Sequence, residues 1–132
     1  MTTPSPRSRY LADSVSTASP ARLLLMLYDR MILDLVHAEE ALRTGDRSTA
    51  NTRLLSAQAI IVELRASLDL TVWTGAAGLA SLYGYLLTEL IRANVHGDAD
   101  RTATCRLLLE PLRDAWREAA LSEAVVAPAK SV

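Results

Sequence analysis

From Leu24 onward the chain repeats one pattern four times: apolar residues three or four apart, polar residues between them, and a break before the next run. That spacing places each apolar set on one face of a helix. The first run is Leu24, Leu27, Met31, Leu35, Ala38 and Leu42, and the second is Leu54, Ala57, Ile61, Leu64 and Leu68. The third is Ala76, Leu79, Tyr83, Leu86, Leu90 and Ala93, and the fourth Cys105, Leu108, Leu112, Ala115 and Ala119.

The breaks carry helix punctuation. Ser19 followed by Pro20 reads as an N-cap with proline at the first helical position, and Gly45 reads as a stop. Asp46 caps the next run, while Gly97 and Asp98 close the third helix and open the fourth. The pattern predicts helices over about 20–43, 46–69, 76–96 and 98–121, after an N-terminal segment 1–19 and before a mobile tail 122–132. The connections after the first and third helices are too short to do more than reverse direction, which predicts an all-α, antiparallel up-down four-helix bundle. Pro111 removes an N–H from the fourth pattern and predicts a kink or a late helix start.

The helices hold more apolar surface than such a core needs, since about three positions in seven fill a bundle interior. The second helix has a further stripe of Leu55, Ala59, Val62 and Ala66, with Ile60 beside it. The third adds Ala80, Leu87, Ile91 and Val95, and the fourth Leu109, Trp116 and Ala120. Contiguous apolar area of this kind marks a partner site or a homodimer face, and grooves between helices accept amphipathic segments. Leu55, Ile60, Val62, Leu87, Ile91, Leu109 and Trp116 are the candidate groove residues.

Composition narrows the chemistry. With 132 residues, half of them hydrophobic, the chain suits one domain; five glycines, five prolines and no phenylalanine suit helices. A net charge of -1 offers no general attraction for nucleic acid or a lipid surface. No apolar run approaches the roughly 18 residues that span a bilayer. The single cysteine, Cys105, supports neither a disulfide nor a zinc site, which fits a reducing, cytoplasmic setting. Asp34 and His37 stand three apart, as a carboxylate and an imidazole sharing a metal in a helical bundle do, but His96 lacks such a companion. No nucleophile pair, phosphate loop or CxxC is present, so neither catalysis nor a cofactor is expected. A bundle using His37 for metal or phosphotransfer is the alternative from another class.

Five segments in register, Tyr10–Pro20, Met26–Asp29, Ala57–Ile61 with Leu64, Leu82–Tyr85 with Leu90, Ala93 and Asn94, and Arg113–Arg117, together resemble the flagellar secretion chaperone family FliS. The likeness runs from about Tyr10 to Ala120 and departs at Arg30, Gly84 and Pro111. It implies a bundle that binds the C-terminal region of flagellin in hydrophobic grooves, prevents premature polymerisation and delivers it to the flagellar type III export gate. It further implies an N-terminal cap in which Leu11 and Val15 cover a groove and Tyr10 contacts the gate.

Overall fold

The structure, a computed structural model, describes residues 19–71 and 74–130, the side chains of 123–130 excepted. Among the described residues four helices follow in order: α1 (Pro20–Arg43), α2 (Arg47–Ser67), α3 (Ala76–His96) and α4 (Ala99–Lys130). Their ends form as the cap residues dictate. The Ser19 hydroxyl accepts from the Arg22 amide at 3.2 Å, Asp46 from the Thr49 amide at 3.1 Å, and Asp98 from the Arg101 amide at 2.9 Å. Gly45 and Gly97 take φ of +80° and +65°, the left-handed turn that ends a helix and that a Cβ disfavours. α4 starts at Ala99 and runs without interruption through Pro111, nine residues beyond the expected end at 121.

Each helix packs on its sequence neighbours, and α4 closes the ring on α1, giving the antiparallel up-down bundle. Of these four neighbouring pairs, α1–α4 packs most extensively and α3–α4 most sparsely. Ion pairs set the α1–α4 register, Arg43 with Asp100, Arg106 with Glu39 and Arg113 with Asp29. The α1–α2 register is pinned at Asp34. This fully buried carboxylate accepts from Ser56 at 2.6 Å and from Arg53 at 3.1 Å, with Arg30 at 3.4 Å, so its charge is paired and hydrogen-bonded as a buried charge must be.

The core holds Met31, Leu35, Leu54, Ile61, Leu86 and Leu90 among its fully buried side chains. Two tyrosines cross it. The Tyr28 and Tyr83 hydroxyls lie 2.5 Å apart, joining α1 to α3, and the Trp116 ring of α4 stands 6.3 Å from that of Tyr28. Burial raises both phenol pKa values, and for Tyr83 the bond to Tyr28 raises it further.

In the fourth helix the inward face differs from the expected one. Leu109 is wholly buried while Leu108 keeps 40% of its surface exposed, so Leu109 belongs to the core and not to a groove. The face runs Thr102, Cys105, Leu109, Leu112, Trp116 and Ala120. One residue is a 100° rotation, and this phase sets Trp116, not Ala115, against Tyr28.

Candidate functional site

The surplus apolar residues of α2 and α3 meet along one seam. Asn94 donates to Asn51 at 2.8 Å, and Arg47 donates to the carbonyls of Asn94 and Val95 at 2.8 and 3.3 Å. Farther along, the Arg65 guanidinium lies beside Gly84. These contacts fix an antiparallel register in which Leu55 lies level with the Ile91 turn and Val62 with the turn from Gly84 to Leu87. Leu55, Val62, Ile91 and Val95 stay 50, 51, 45 and 67% exposed, whereas Leu87 is half-buried against the core. Ala59 and Ala66 continue the exposed strip on α2. Spaced three or four residues apart, Leu55, Ala59, Val62 and Ala66 make the α2 strip continuous, and it is open to solvent.

The other groove candidates fall elsewhere. Ile60 is half-buried on the flank of α2 that carries Arg53 and Ser56 toward α1. Trp116 lines an apolar cavity of about 400 Å³ at the end of the bundle, together with Leu24, Leu64, Leu68, Leu79 and Tyr83. Tyr10, Leu11 and Val15 lie outside the described residues, as does Trp73 of the second loop. Exposed Leu33, Val36, Tyr85 and Leu107 were not among the candidates. Leu33 and Val36 sit between the stripe positions of α1, where spacing alone gives no reason to single them out.

Asp34 is engaged by Ser56 and Arg53 instead of by His37, and among the described residues no three potential metal ligands come together. Cys105 is buried and its pKa is pushed up to about 11 by desolvation, assisted by the nearby Glu89 charge, which keeps it an unreactive thiol at neutral pH. No helix among the described residues is long and apolar enough to cross a membrane.

A helical bundle with an open apolar seam suits a protein that works by holding another. The family model for the flagellar protein FliS matches residues 3–123, nearly the whole of this chain. The chain belongs to the FliS family. The flagellar secretion chaperone FliS of Bacillus subtilis (strain 168) is 33% identical over 118 residues, covering 89% of this chain and 88% of the relative. That of Escherichia coli (strain K12) is 30% identical, covering 86% and 85% respectively. The Salmonella typhimurium FliS is 34% identical over 80% of each chain. FliS is a chaperone family and not an enzyme family. Membership also implies a flagellar export cargo.

Proposed function

We propose that this chain is a cytoplasmic export chaperone that binds the C-terminal region of a flagellin, keeps it from polymerising and passes it to the flagellar type III export gate. The observation that carries the reading is the open apolar seam between α2 and α3 in a chain of the FliS family. Leu55, Val62, Leu87 and Ile91 line this groove, while Ile60 and Trp116 serve neighbouring apolar surfaces on the α1 side and at the cavity. Leu11 and Val15 act as cover when cargo is absent, and Tyr10 contacts the gate. Apolar burial drives binding at roughly 25 cal/mol per Å², offset by the ordering of the cargo segment.

Calorimetric titration of the full chain with the C-terminal segment of flagellin from the same organism tests this, with complex mass read by light scattering. A one-to-one complex with a negative heat-capacity change is the expected result. Val62→Asp and Ile91→Asp weaken it at least about tenfold with unchanged far-ultraviolet helicity, because each places an unpaired charge in the buried contact. A folded, monomeric chain that ignores the segment overturns the proposal.

A further inference from the structure

Charge is distributed unevenly over the bundle. α2 and α3 carry Arg47, Arg53, Arg65 and Arg92 against Glu63 and Glu89. Arg53 is taken by Asp34 on the far flank of α2, and Glu89 pairs with Arg101 of α4. Arg47 and Arg65 are left at the seam, and among the described residues no ion pair involves either. Arg92 is 59% exposed and reaches Glu89 only at 4.0 Å.

The two seam arginines cross from α2 to α3 where α3 has no side chain to obstruct them. A Cβ on Gly84 would stand 3.7 Å from Nη1 of Arg65, and one on Gly97 2.5 Å from Nη1 of Arg47. Arg47 uses part of its donor fork on the carbonyls that end α3. The Arg65 side chain has no hydrogen bond among the described residues. About five helical turns, roughly 27 Å along α2, separate the two, and Leu55 and Val62 lie between them.

We infer that the α2–α3 seam is charge-selective: it takes an amphipathic helix whose apolar stripe is flanked by carboxylates, with Arg65 and Arg47 as the specificity-determining residues. The inference rests on the seam being the docking groove proposed above, but not on flagellin being the occupant. A guanidinium at the rim of an apolar contact has a planar fork that fits a carboxylate with two hydrogen bonds, and water is partly excluded there once the stripe is covered. A lysine at the same place on the occupant meets like charge beside an apolar wall. The arginines thereby set partner choice and register, while the leucine, valine and isoleucine side chains supply most of the affinity.

The test titrates the full chain with two synthetic amphipathic helices of about 20 residues that share one leucine stripe, flanked by glutamates in one and by lysines in the other. At about 0.05 M salt the glutamate helix binds about tenfold or more tightly than the lysine helix, and at about 0.5 M the difference shrinks. Arg65→Glu, a change at a side chain with no ion pair or hydrogen bond among the described residues, abolishes or reverses the preference, and Arg47→Gln reduces it. Arg117→Glu, on the exposed face of α4, leaves it unchanged. Amide shifts induced by the glutamate helix fall on α2 and α3.

Equal binding of the two helices, binding of neither, or a preference that survives Arg65→Glu overturns the inference. So does a mass that rises with concentration and falls back with Val62→Asp, which seats a second copy in the seam. Flagellin titration separates the two claims. Binding of flagellin without charge preference leaves the chaperone reading and removes this one, and glutamate-helix selectivity without flagellin binding does the reverse.

Discussion

Leu109 has no exposed surface and Leu108 keeps 40% of its own, although the two are chain neighbours of identical chemistry. Truncation therefore acts unequally. Leu109→Ala removes methyl groups from a packed interior and leaves a cavity, at a loss of about 2–5 kcal/mol in urea unfolding, whereas Leu108→Ala lowers stability by less than about 1 kcal/mol. Equal losses would place both residues at the surface of the core. The distinction was not legible in the sequence, because both leucines satisfy a helical stripe through Cys105 and Leu112. What chooses between them is the contact of Trp116 with Tyr28, a partner on another helix. Periodicity reports a face to within about one residue, and tertiary packing sets the rest. The paired tyrosine hydroxyls were hidden for the same reason: Tyr28 and Tyr83 are 55 residues apart, and nothing local marks them as partners.

At the scale of the element, what could be read was whatever depends on neighbours along the chain. The Ser19, Asp46 and Asp98 caps and the Gly45 and Gly97 turns all perform as their chemistry requires. The second stripe of α2 was legible as well, and Leu55 and Val62 are exposed as surplus residues should be. The cationic rim was not, since Arg65 reaches Gly84 only once α2 and α3 are antiparallel and in register. α4 departs furthest from local preference. It continues through Pro111, which is exposed, cannot donate to the carbonyl of Leu107 and crowds that turn. No packing favours the ring at that site, so Pro111→Ala restores a helical hydrogen bond at little cost and raises stability by about 1–3 kcal/mol. Chemical denaturation at fixed pH measures it. A loss instead would show that the bundle depends on a bend at this turn.

Over the whole molecule, groups on different helices combine into a dependence of stability on pH. On the acid side, Asp46, Asp69 and Asp98 accept hydrogen bonds from nearby amides, hydroxyls and a guanidinium that hold them below the usual carboxylate range. A carboxylate with a depressed folded pKa stabilises fully above its unfolded value of about 4, and that contribution disappears as pH falls through the folded value. On the alkaline side the sign reverses. Cys105, Tyr28 and Tyr83 are neutral in the fold and raised, mainly by burial, with the thiol at about 11. Their stabilisation is complete below the unfolded values of about 8.5–10 and is lost as pH climbs from there, because only the unfolded chain ionises. Guanidinium midpoints should accordingly hold level between about pH 5 and 8 and decline on both flanks. Cys105→Ala tests the alkaline flank at one site. It lowers stability at pH 7 through lost packing but flattens the decline between about pH 9 and 11, where the wild-type thiol would be titrating only in the unfolded chain. A decline of undiminished slope in that variant assigns the whole alkaline limb to the tyrosine pair, and Tyr28→Phe should then flatten it instead.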